Sequence, residues 1–197
     1  MDSGNGVHYN ARAVALKNPS DIERERFGSD IVTHLDHLYR VAYYLVKNDT
    51  EAQDCVQETC ARALNSRTQF TPGSNMKAWL TKILYNFFYD SYTRDKRIVA
   101  AEDLVDPEKP RRDFWETLPT PSLEPENEVL ARELGIKVHD ALRKIPEEFR
   151  APIVLVDMGD FSYAEAAEIL SCPIGTVRSR LSRGRKLLHG ILVGYVL

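Results

Sequence analysis

The sequence predicts an all-α chain: two small helical domains joined by a flexible, acidic, proline-rich linker, the second containing a helix-turn-helix. Three observations carry this reading. Apolar residues recur at three- and four-residue steps on both sides of a proline-rich stretch, as amphipathic helices require. The first half shows no alternating β-branched pattern and no hairpin signal. Near the C-terminus a tight turn separates two short amphipathic segments.

Four segments follow from these patterns. Residues 1–26 mix glycine, asparagine, serine and charges without periodicity and read as a flexible leader. Residues 27–97 form the first domain. Its first helix carries Ile31, Leu35, Leu38, Ala42 and Leu45; its second starts after Asn48-Asp49-Thr50, with Glu51 and Asp54 in or near the first turn. The expected buried stripe of that second helix is Ala52, Val56, Cys60, Ala63 and Leu64, which leaves Gln53, Asp54, Gln57, Glu58 and Arg62 outside. After the turn Phe70–Asn75, a third helix runs from about Met76 to Arg97 over the rows Trp79, Leu80, Ile83, Leu84, Phe87 and Phe88. Residues 98–127 carry an excess of acids and prolines at 107, 110, 119, 121 and 125, so a packed helix is excluded there and a linker expected. Residues 128–197 form the second domain, where periodicity returns with Val138, Ala141 and Leu142 and a further element starts at Pro146.

Composition narrows the function. A net charge of −3 argues against a uniformly basic nucleic-acid coat, so any nucleic-acid contact must be local. Cys55, Cys60 and Cys172 are too few and too oddly numbered for a disulfide framework, and small apolar fillers in a reducing cytosol are expected. Neither terminus has the apolar length of a bilayer span. His8, His34, His37, His139 and His189 make no metal-ligand motif, and no phosphate loop or nucleophile signature is present. No cofactor, metal or catalytic residue is therefore expected.

The most informative segment runs from Phe161 to Leu188. Ser162 and Glu165 have capping-box spacing, so a short helix starts there and turns Ala166, Ile169 and Leu170 inward. Pro173 suits the start of a second helix with Val177, Leu181 and Leu188 as its apolar stripe. Arg178, Ser179, Ser182, Arg183 and Lys186 then share the other side, placed for base edges and phosphates of a major groove. An isolated basic run is usually a solvated face; here the turn, the stripe and the absence of acids from Pro173 to Leu197 favour DNA reading.

These residues also carry a family resemblance. Pro173-Ile-Gly-Thr-Val-Arg-Ser-Arg-Leu181, preceded by Phe161-Ser-Tyr-Ala-Glu165 and by Leu142-Arg-Lys-Ile-Pro-Glu-Glu-Phe-Arg150, resembles the C-terminal domain of extracytoplasmic-function sigma factors of the sigma-70 family. Asp54-Cys-Val-Gln-Glu-Thr-Cys-Ala-Arg-Ala63 resembles the family's core-polymerase-binding helix, and Met76-Lys-Ala-Trp-Leu-Thr-Lys-Ile-Leu-Tyr-Asn86 its promoter-melting helix.

The resemblance implies a cytoplasmic transcription-initiation factor, serving a stress or envelope-response regulon, with core RNA polymerase, promoter DNA and a cognate anti-sigma factor as partners. It implies that Asp54, Gln57 and Glu58 meet core polymerase, and that Asn86 holds a base flipped out of the minus-ten element. Lys82, Tyr89, Asp90, Arg94 and Arg97 would line that single-stranded path, with Tyr85 and Tyr92 also off the apolar rows. Asp90 departs from the family's usual amide, so it either accepts from a cytosine amino group or points away. Thr176 joins the recognition-helix residues on the minus-thirty-five element. The alternative is a stand-alone two-domain helix-turn-helix regulator, which would not need the match at Asp54–Ala63.

Overall fold

The computed structural model describes residues 18–46, 48–99 and 135–193, and every regular element among them is helical. The N-terminal half contains α1 (Pro19–Val32), α2 (Leu35–Leu45), α3 (Asp49–Asn65), a 3-10 turn (Arg67–Gln69) and α4 (Met76–Val99). The C-terminal half contains α5 (135–143), α6 (Glu147–Ile153), a π turn (Val154–Met158), α7 (Tyr163–Ile169) and α8 (Ile174–Val193).

Two boundaries differ from the sequence expectation. α1 begins at Pro19, inside the stretch read as leader; proline is already set for the first helical position, and Asp21 complements the helix dipole there. The single helix expected from Ile31 to Leu45 is two, broken at Thr33 and His34. The Thr33 hydroxyl donates to the Asp30 carbonyl at 2.7 Å, a local bond that competes with helix continuation. The linker expected over 98–127 lies outside the described residues except for Ile98 and Val99, which continue α4.

The N-terminal core packs Leu38, Val41, Ala42 and Leu45 of α2 against Leu80, Leu84 and Phe88 of α4, with α3 closing the bundle. A leucine removed this completely from water contributes roughly 2–3 kcal/mol. The stripe of α3 is Ala52, Cys55, Thr59 and Ala63, rotated from the expected one, and Val56, Cys60 and Leu64 are only half-buried. Thr59 is tolerated inside because its hydroxyl donates to the Cys55 carbonyl at 2.6 Å. Burial pushes the Cys55 thiol up to about 12, so it packs as a small apolar group. Phe27, Phe70 and Trp79, with centroids 5.3–6.0 Å apart, pin the turn before α4.

In the C-terminal half the capping box is complete. Ser162 Oγ accepts from the Glu165 N–H, and Glu165 Oε2 accepts from the Ser162 N–H at 2.9 Å. α7 ends with Ser171 at φ +50° and the Cys172 N–H donating to the Ala167 carbonyl at 3.0 Å, a Schellman close. This turn joins α7 to α8, and the two helices pack together. Pro152, inside α6, has no N–H to give the preceding turn, and the helix widens into the π turn directly after it.

The two halves share one apolar core. α7 packs on α4, and the π turn packs on α2. Phe161 sits edge-on to His37 at 5.4 Å with the Lys77 ammonium 4.8 Å from its centroid, and His139 stacks on Tyr43 at 4.1 Å.

Burial, with Lys77 and Arg40 nearby, pushes the His37 imidazole down to about 4; burial lowers His139 as well. Both therefore bind protons less readily folded than unfolded. Their contribution to stability is full above about pH 6.5 and is lost as pH falls from there toward 4. Thermal melts between pH 7.5 and 4.5 should show Tm falling through this window, and a His37→Gln/His139→Gln variant should give a flatter profile. Parallel profiles for the two proteins would contradict this account.

Candidate nucleic-acid and polymerase interfaces

α3 presents the first candidate surface. Asp54 and Gln57 are exposed; Glu58, one turn on, is half-buried and its carboxylate accepts from Arg62 Nε at 2.7 Å. The Arg62 guanidinium also lies 4.9 Å from the Phe87 ring centroid, which fixes this corner of the face against α4. Asn48 at the N-cap accepts from the Glu51 N–H at 2.9 Å and sets where the helix begins, hence which residues share this side.

α4 presents the second. Its start is fixed by Asn75, whose Oδ1 accepts from the Ala78 N–H at 3.1 Å. From there Lys82, Asn86, Tyr89 and Asp90 are all exposed, at the three- and four-residue spacing that places them on one side of the helix. Arg94 is exposed further along; Arg97 is in the helix, but its side chain lies outside the described residues. Among the described residues Asp90 makes no ion pair.

Tyr85, off the apolar rows in the sequence, takes the packing role. It is buried, stacked on Tyr89 at 5.9 Å, and its hydroxyl donates to Glu147 Oε1 at 2.6 Å, so it belongs to the core between the halves. Burial and this carboxylate raise its phenol well above the ordinary range. Tyr92 is likewise half-buried, stacked on Phe88 at 5.7 Å. Only Tyr89 of the three, 43% exposed, remains available to stack on a base.

α8 presents the third. Arg178, Ser179, Ser182, Arg183 and Lys186 are exposed, and Thr176 is half-buried. Val177, Leu181 and Gly184 face inward, which confirms the helix orientation read from the apolar stripe. Two arginines of the same run are diverted. Arg185 makes a two-point pair with Asp157, at 2.9 and 2.5 Å, and Arg180 borders a groove of about 570 Å³ with Asn86, Tyr89 and Glu147.

Sequence reasoning missed Tyr163 and Ile174. Tyr163 is 36% exposed with the Arg178 guanidinium 5.8 Å from its ring centroid, and Ile174, 42% exposed, opens α8. The signal for both was position: each is the first residue of its helix.

Two family models match this chain, Sigma-70 region 2 over residues 31–98 and Sigma-70 region 4 over residues 131–188. A sigma factor EcfG from Rhodopseudomonas palustris is 35% identical over 168 residues, covering 83% of both chains. The chain belongs to the extracytoplasmic-function sigma factors. A sigma factor SigE from Mycolicibacterium smegmatis is 38% identical over 159 residues, and the match spans 81% of this chain and 58% of that one. Among solved structures, the sigma factor RpoE of Bartonella quintana, in complex with the anti-sigma factor NepR, superposes with a TM-score of 0.66 at 30% identity, over 85% of this chain and 97% of that chain. CnrH, solved with the cytosolic domain of CnrY, shares the fold at a TM-score of 0.61 and 24% identity. In this sigma factor α2, α3 and all of α4 but its last residue lie within the region 2 match, and α5 to α8 within the region 4 match apart from the last turn of α8.

Proposed function

We propose that this sigma factor binds core RNA polymerase through α3 and directs promoter-specific initiation, with α4 opening and holding the minus-ten element and α8 reading the minus-thirty-five element. The observation that carries the reading is the coexistence, in one chain, of an exposed Asp54/Gln57 face on α3 with two separate exposed DNA faces. A stand-alone regulator needs only α8. Asn86 can donate to and accept from a base edge, Tyr89 offers a stacking surface, and Lys82 and Arg94 can meet the backbone.

The chain supplies no catalytic group in this reading; nucleotide addition belongs to polymerase, and the factor works in the cytoplasm. No helix among the described residues is long and apolar enough to cross a membrane. A cognate anti-sigma factor is proposed as a third partner, supported by the anti-sigma factor in complex with the Bartonella quintana relative. The test is core binding. Asp54→Arg should weaken affinity for core polymerase at least roughly tenfold through charge reversal at an exposed contact, with Tm unchanged. Unchanged affinity would remove Asp54 from the polymerase contact.

A further inference from the structure

We propose that the groove lined by α2, α3, α4, α5 and α6 is a binding site for a small organic carboxylate, with the ligand's head group on the buried guanidinium of Arg150 and its apolar body along α4. The groove encloses about 990 Å³, enough for a small molecule. Arg150 lines it from α6, is only 6% exposed, and its Nε has no hydrogen-bond partner. Among the described residues it makes no ion pair. The carboxylate one turn back on the same helix, Glu147, already accepts from the Tyr85 hydroxyl at 2.6 Å.

A cation held out of water without an acceptor is costly, and burial pushes the Arg150 guanidinium below its ordinary pKa. The Phe88 ring, its centroid 6.0 Å from Arg150 Cζ, compensates weakly. A ligand oxygen at Nε removes that cost, and the guanidinium fork matches the two oxygens of a carboxylate. The rest of the groove selects the ligand's body. Leu45, Phe87, Phe88 and Ile145 give it an apolar wall, whereas Glu51 and Asp54 border it as exposed carboxylates. A polyphosphate would bring charge beside those carboxylates; a monocarboxylate with an apolar tail confines its one charge to Arg150. Arg143, from α5, adds positive charge to the lining, offset in part by Asp140 at 3.9 Å.

Two substitutions separate ligand binding from folding. Arg150→Met keeps an unbranched side chain and removes the unpaired buried charge, so the chain without ligand should keep or raise its Tm. A guanidinium that served the fold would lower Tm on removal. Ser91→Trp leaves Arg150 in place and fills the groove from α4, where Ser91 is half-buried in the lining.

The experiment titrates the full chain with hydrocinnamate, its uncharged amide and inorganic phosphate, followed by calorimetry and by the backbone amide NMR spectrum. Hydrocinnamate should saturate a single site with a dissociation constant of about 1 mM or lower and move the signals of α4 and α6 around the groove. The amide, which lacks the charge, and phosphate, which lacks the apolar body, should not saturate in that range. Arg150→Met and Ser91→Trp should each weaken hydrocinnamate at least roughly tenfold. No hydrocinnamate binding overturns the proposal, as does unchanged affinity in either variant. Equal binding of the amide reduces the site to an apolar groove, and equal binding of phosphate to a general anion site; either result contradicts the carboxylate assignment. A marked fall in Tm for Arg150→Met assigns the guanidinium to the fold and also overturns the proposal.

Discussion

Gly184→Ala is expected to cost about 3 kcal/mol of folding stability, since overpacking against a fixed backbone belongs to the larger class of single-residue effects. A Cβ at this position would lie 2.6 Å from the Phe149 carbonyl oxygen and 2.9 Å from Ile153 Cδ1. The first neighbour is backbone in α6 and cannot rotate away, so α8 must move off α6. Intrinsic propensity alone would predict the opposite, a gain of up to about 1 kcal/mol on replacing a mid-helix glycine by alanine. Thermal unfolding decides the sign: a fall in Tm of about 10 °C is expected for a chain of this size. An unchanged or raised Tm would show that α8 does not approach α6 this closely.

The second large effect is on recognition. Arg183 and Lys186 are both exposed on α8, but a guanidinium can make two parallel bonds to guanine whereas an ammonium acts as a point charge. Arg183→Ala should therefore cost about 1–3 kcal/mol on the minus-thirty-five element and much less on scrambled DNA. Lys186→Ala should weaken both DNAs alike and reduce the salt dependence by roughly one counterion unit. Titrations on matched and scrambled duplexes across salt concentrations separate the two. Equal loss on both DNAs for Arg183→Ala would make it a phosphate contact.

Features set by neighbours in the chain were legible in the sequence. Ser162 and Glu165 announce the capping box by spacing alone, and both of its bonds are present. The outward set on α8 followed from Val177 and Leu181 facing in, because a helix has one period and these residues fix its phase. Features set by distant partners were not legible. The phase of α3 was misread because α3 is flanked by α2 and α4 and buries a wide sector, in which Thr59 counts as interior once its hydroxyl bonds Cys55. Tyr85 lies off the apolar rows in the sequence, which left its packing open; its partner Glu147 lies 62 residues away, beyond any local period. Gly184, within a basic run, reads as a weak point of a helix until α6 is seen against it.

The central claim is that this sigma factor acts through polymerase and two promoter elements at once. In vitro transcription with purified core polymerase over a library of promoter-sized templates tests it most directly. The account predicts transcripts that need both core and this chain, that start downstream of two shared sequence elements, and that disappear when either element is scrambled. Tight, specific duplex binding by the chain alone, with no transcript above the level of core polymerase by itself, would contradict it.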